Sequence, residues 1–193
     1  MAMRSFFLIA KQALVFSLFV LLVGCVHTPP EEYQQERPPE TNFDQDFSSR
    51  LPQHEDTNGK KMVLVDPNVH AWGAYDRDGS LVRAGIATAG GAVCPPDAEG
   101  ESDCRTGSGV FKITSMRGSD CYSRKYPRPH GGGLMPFCMY FNNGQALHGS
   151  PDNIVVENNV SHGCVRMRIP DAEWMWSDFA TVGTTVKVIP YES

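Results

Sequence analysis

The chain of 193 residues has no run of lysine or arginine and no basic face interleaved with aromatics. Its 17 basic residues stand against 22 acidic ones, a formal charge of −5, so nothing offers a footprint for nucleic acid and that class of partner is excluded. No C-x-x-C or H-x-x-x-H spacing occurs, which argues against a zinc site and leaves no cofactor implied. Internal repeats are absent as well. The length suits one domain with appendages and is cramped for two.

A long membrane-spanning run is also lacking. Arg4 and Lys11 precede an apolar stretch from Ala13 to Val23, shorter than the ~20 residues that cross a bilayer but right for the apolar region of a signal peptide. The stretch closes on "LVGC", Leu22 to Cys25, which resembles the lipobox of bacterial lipoproteins; an ordinary secretory signal with an accidental cysteine is the bland alternative. The resemblance implies a signal peptide over 1–24, lipidation of Cys25, and a membrane anchor as partner. Valine rather than aspartate at 26 implies the periplasmic face of an outer membrane, where the cell has one. From 25 to 60 the composition turns to Pro, Glu, Gln and Asp, with eight acidic and three basic residues after Cys25. Such a segment buries too little to offset its ordering entropy and reads as a flexible tether.

Residues 61–193 read as mostly strand. "KMVLVDP" is a compact apolar run, and "VHAWGAY" and "LVRAGIAT" flank "DRDGS", which predicts a hairpin. Periodicity vanishes from Ala89 to Thr106, returns in "GVFKITSM" at 109–116, and vanishes again in "RGSDCYSRKYPRPHGGG". "LMPFCMYF" and "QALHG" predict two more short strands. "PDAEWMWSDFA" at 170–180 opens with Pro and Asp and is followed by Gly183, the punctuation of a helix, before "TTVKVIPY". The domain is therefore expected to be mostly β with one helix.

Six cysteines sharpen the question. With Cys25 taken by lipid, five remain in an oxidising compartment, and an odd count leaves one thiol free or pairing between chains. Cys94 with Cys104 and Cys121 with Cys138 bracket the two irregular stretches and most simply form two bridges, although three connectivities are possible. Cys164 is left over, in "NNVSHGCVRM". It is a buried inert cysteine, a metal ligand, or a nucleophile in need of a base. His162 is two residues away, where adjacent backbone limits its reach; His148 in "LHGS" could approach squarely from a neighbouring strand end.

"HG" at 148–149 followed by "SHGCVRM" at 161–167 resembles the L,D-transpeptidase family, the YkuD domain, over roughly 61–190. "TGSGVFKI", "MPFCMYF", "DAEWMW" and "GTTVKVI" resemble its flanking blocks in the same order. The resemblance implies a YkuD-like β-sandwich with one short helix after the cysteine motif and a disulfide-stapled loop insertion. By position, Cys164 becomes the nucleophile, His148 its base, and Gly149 the residue whose backbone orients the ring. Gly163 and Cys164 would offer backbone N–H groups as an oxyanion hole. Ser161 would be an orienting hydroxyl, His162 a substrate-side or structural histidine, and Arg166 a partner for a substrate carboxylate, with a surface salt bridge as its bland reading. Ser150, Met135 and Tyr140 would line the substrate site. Gly107 stands where the family has proline and Ser150 where threonine is common. The two insertions are expected to form a lid or an acceptor-side wall, with His130 exposed and idle.

The implied partner is a peptidoglycan stem peptide. The implied reaction is attack on the link between its third residue and D-Ala, then transfer of the acyl group to an amine as a 3-3 crosslink or a wall attachment. Acylation by carbapenems is implied too. An L,D-carboxypeptidase using water, a wall-binding or host-facing lipoprotein without turnover, and a scaffold built on the disulfide loops are the rival readings.

Overall fold

The computed structural model describes residues 41–98, 100–127 and 129–192. The expected signal peptide, the lipidation site at Cys25 and the first part of the tether lie outside those residues.

The domain is a sandwich of two sheets. The first has strand order β3-β2-β1-β9-β4 and the second β5-β6-β7-β8. In the first, β1 (Met62–Asp66) sits at the centre, antiparallel to β2 (Ala71–Tyr75) and parallel to β9 (Thr185–Val188). The expected hairpin joins β2 to β3 (Leu81–Ile86), turning at Gly79, whose φ of +89° suits glycine. In the second, β6 (Met139–Asn142) pairs antiparallel with β7 (Gln145–Ser150) across Asn143-Gly144, both at positive φ, as a tight hairpin requires. β7 then pairs in parallel with β8 (Val165–Arg168).

Val63, Val65 and Trp72 of one sheet meet Met139, Leu147, Val165 and Met167 of the other in the main core. The closing segment after the motif forms a short helix, α1 (Ile169–Trp174), continuing as a π-turn through Met175–Phe179. Met175 and Phe179 seal that core.

Two expectations change. The stretch 109–116 is not one strand: β4 (Gly109–Lys112) belongs to the first sheet and β5 (Ser115–Met116) to the second, with buried Ile113 at the corner. The stretch therefore passes from one layer to the other. Nor is the tether free to residue 60. A 3-10 turn at Phe47–Arg50 is capped by Asp46, whose side chain accepts from Ser48 N–H. Phe47 and Leu51 pack under Met62, Leu64 and Tyr75, on the face of the first sheet away from the main core. Arg50 donates to the Val69 carbonyl at 2.9 Å and pairs with Glu157 at 2.8 Å. The unbroken apolar run of β1 is thus buried on both faces, the outer one beneath a segment that composition alone marks as solvated.

Both bridges have the simplest connectivity, Cys94–Cys104 and Cys121–Cys138, and Cys164 is the free thiol among the described cysteines.

Candidate active site

The parallel pairing of β7 with β8 assembles the site. Leu147 lies opposite Val165 and His148 opposite Arg166. Side chains alternate across a strand, so Leu147, Val165 and Met167 enter the core while His148 and Arg166 take the other face. Cys164, one residue ahead of β8, continues that outer row. Cys164, His148, Arg166, Ser150, Ser161 and His162 share the wall of a cavity of about 340 Å3. A second cavity, about 660 Å3, also reaches the thiol and is lined by Tyr140, Arg117, Arg124 and Gln145.

His148 is buried, and its Nδ1–H donates to the Gly149 carbonyl at 2.8 Å. That bond assigns the proton to Nδ1 and leaves Nε2 as the basic nitrogen. Burial pulls the imidazole pKa down to about 4; the Gly149 carbonyl works against this and the Arg166 charge adds to it. Burial also pushes the Cys164 thiol up, opposed by the Ala146 backbone amide and by Arg166. Thiol and imidazole are therefore both neutral near pH 7. The half-buried thiol rests against the Gly144 carbonyl at 3.9 Å. Arg166 forms no ion pair with a carboxylate among the described residues, so its charge is directed at the cavity rather than at a surface salt bridge.

The turn before Cys164 is fixed from several sides. Ser161 Oγ donates to the Cys164 carbonyl and accepts from Gly163 N–H at 3.1 Å. Thr106 Oγ1 donates to the Gly163 carbonyl at 2.9 Å and accepts from Gly90 N–H at 3.0 Å. Gly163 has φ +112°, and a Cβ there would stand 2.8 Å from Gln145 Nε2. Glycine at 163 is thus required by the backbone itself.

The sequence pattern of the YkuD family, the L,D-transpeptidase catalytic domain, matches residues 60–188. The chain belongs to that family. YciB of Bacillus subtilis (strain 168), which carries the same family name, is 28% identical over 130 residues, 62% of each chain. The fold is also that of solved L,D-transpeptidases. One from Xylanimonas cellulosilytica superposes with a TM-score of 0.58 at 24% identity, over 73% of this chain and 66% of that one. L,D-transpeptidase 3 of Mycobacterium tuberculosis, solved with a faropenem-derived adduct, gives 0.52 at 19% identity, over 67% and 60%. The chain thus spans less than two thirds of these relatives' lengths.

Within this L,D-transpeptidase domain the structure gathers most of the residues expected from sequence into one place. Ser150 Oγ lies 3.4 Å from His148 Nδ1, and Met135 lines both cavities. Tyr140 lines the larger cavity, its hydroxyl 3.7 Å from Cys121 Sγ. His130 is exposed. Of the two backbone amides expected as an oxyanion pair, Gly163 N–H is engaged by Ser161 Oγ. Ser161 lines the smaller cavity while its hydroxyl bonds within the turn. Four contributors escaped sequence reasoning: Thr106, which holds the turn, Gln145, which accepts from Gly107 N–H and donates to the Arg105 carbonyl on either side of Thr106, and Asp97 and Tyr126, which hold His162. Thr106 opens the "TGSG" block and was open to discovery there; Asp97 and Tyr126 lie in aperiodic loops and carried no signal.

Proposed function

We propose that this domain is a peptidoglycan L,D-transpeptidase working through Cys164. The observation that carries the reading is the β7–β8 register, which puts a free thiol, a neutral imidazole and an uncommitted guanidinium on one cavity. Arg166 receives a stem carboxylate and brings the scissile carbonyl to the thiol. His148 Nε2 takes the thiol proton as sulfur attacks the carbonyl of the third stem residue, and the Cys164 N–H stabilises the oxyanion. Collapse expels D-Ala, which leaves with the proton from His148, and a thioester remains. An amine then attacks the thioester carbon, giving a 3-3 crosslink or a wall attachment; the proton that amine loses returns to sulfur. Water in its place gives the tripeptide.

Export fits this chemistry, since the wall lies outside the cell and the two bridges need an oxidising compartment. We therefore place the chain as a lipoprotein with signal peptide 1–24 and lipid on Cys25, the tether leading from that cysteine to the segment that packs through Phe47 and Leu51, held at the periplasmic face of the outer membrane.

The test is mass spectrometry of disaccharide-tetrapeptide muropeptides after incubation with residues 26–193, beside Cys164→Ala and His148→Ala. D-Ala release with 3-3 dimers, absent in both variants, is the expected result. Tripeptide without dimers would reassign the enzyme as a carboxypeptidase. Unchanged substrate with folded wild type would overturn the reading.

A further inference from the structure

His162 is part of the motif, yet what fixes it comes from outside the motif. Its Nε2 lies 2.7 Å from Asp97 Oδ1, and its ring stacks on Tyr126 with centroids 4.0 Å apart and planes 28° apart. Asp97 belongs to the loop closed by Cys94–Cys104, and Tyr126 to the stretch closed by Cys121–Cys138. The two loops are joined over the thiol. Tyr126 donates its hydroxyl to Glu101 Oε1 at 2.5 Å, and Lys125 Nζ meets the same carboxylate at 2.5 Å. His162 and Tyr126 both line both cavities beside Cys164. The His162 side chain is 15% exposed, so the ring is confined as well as contacted.

We propose that Asp97 is a positioning residue for acyl transfer: by accepting the Nε2–H of His162, it fixes the tautomer and plane of that imidazole at the wall shared by the two cavities. A carboxylate oxygen accepts, so the hydrogen of this contact is carried by Nε2. Tyr126 limits rotation about the remaining axis. The disulfide loops thereby become part of the active site, and the inference rests on the transpeptidase reading above.

The experiment compares wild type, Asp97→Ala and Asp97→Glu in the 26–193 chain with Cys25 absent. Three readouts are taken: kcat and KM for D-Ala release, the rate at which imipenem acylates Cys164 by intact mass, and the His162 tautomer by two-bond 15N–1H NMR. For Asp97→Ala the expected result is a kcat lower by about tenfold to a hundredfold, the scale of a misplaced active-site group, with KM within about twofold. Slower acylation and a mixed tautomer should accompany it. Asp97→Glu should restore the Nε2–H tautomer and most of kcat, which a merely structural loop residue would not require. If Asp97→Ala melts early, Asp97→Ser replaces it, being too short to make the 2.7 Å contact. An alanine or serine variant with wild-type tautomer, acylation and kcat overturns the proposal. Wild type that releases no D-Ala overturns the functional reading instead, and the tautomer and acylation rates still decide the role of Asp97.

Discussion

Cys164 and His148 are tuned away from a preformed ion pair. Burial raises the thiol and lowers the imidazole, so each is held in its neutral form near pH 7. Alkylation of Cys164 by iodoacetamide should therefore rise with pH only above the ordinary thiol range. Arg166→Met should move that limb higher still, because the guanidinium favours the thiolate; rate against pH by intact mass checks both. A limb below the ordinary range would contradict the burial argument. The same imidazole links stability to pH. The unfolded chain binds a proton on this histidine below about pH 6.5, whereas the folded chain resists until about pH 4. The stabilisation is fully present above pH 6.5 and is lost as pH falls toward 4, amounting to about 3 kcal/mol from this group. Urea midpoints at pH 7 and pH 4.5 should show the fall in wild type and a smaller one in His148→Gln.

At the scale of elements, the sheet-forming segments were legible where local pattern and tertiary need agree. The β2–β3 hairpin, β7, β9 and the helix after the motif follow from turn residues, alternation and a Pro-Asp start. The split at Ile113 was not legible, because an alternating run reads the same whether it stays in one sheet or crosses to the other. The clasp of 43–51 was hidden by acidic and proline-rich neighbours. Its sign lay elsewhere, in the unalternating "MVLV" of β1, which demands cover on two faces. In the site, Cys164, His148 and Arg166 were legible because two adjacent strands carry them at fixed offsets. Asp97 and Tyr126 were not, since disulfide-closed loops set their contacts and no periodicity marks them. The clasp makes its own prediction. Phe47 is 5% exposed, so Phe47→Ala should cost about 3–5 kcal/mol in urea unfolding. Alkylation of Cys164 in the folded variant should stay at the wild-type rate, because Phe47 packs on the outer face of the other sheet.

For the whole molecule, the bridges and the lone thiol form one system. A cross-link lowers the entropy of the unfolded chain, and loops closed over separations of 10 and 17 residues are each expected to contribute about 3 kcal/mol. The two loops share contacts through Tyr126 and Glu101, so the contributions are coupled rather than strictly additive, and about 6 kcal/mol is the scale for the pair. Replacing all four of Cys94, Cys104, Cys121 and Cys138 by serine should therefore lower the thermal midpoint by about 10–20 °C, at the few degrees per kcal/mol usual for this size. Calorimetry on oxidised wild type, reduced wild type and the serine variant checks it, and reduced wild type should melt with the variant. The bridges also close the loops that clasp His162, so reduction should slow imipenem acylation even at temperatures where the sheets remain folded. An acylation rate that is indifferent to reductant, with a lowered melting point, would separate the two roles: the bridges would then hold the fold without holding the site. A chain made in a reducing cytoplasm is expected to behave like the serine variant.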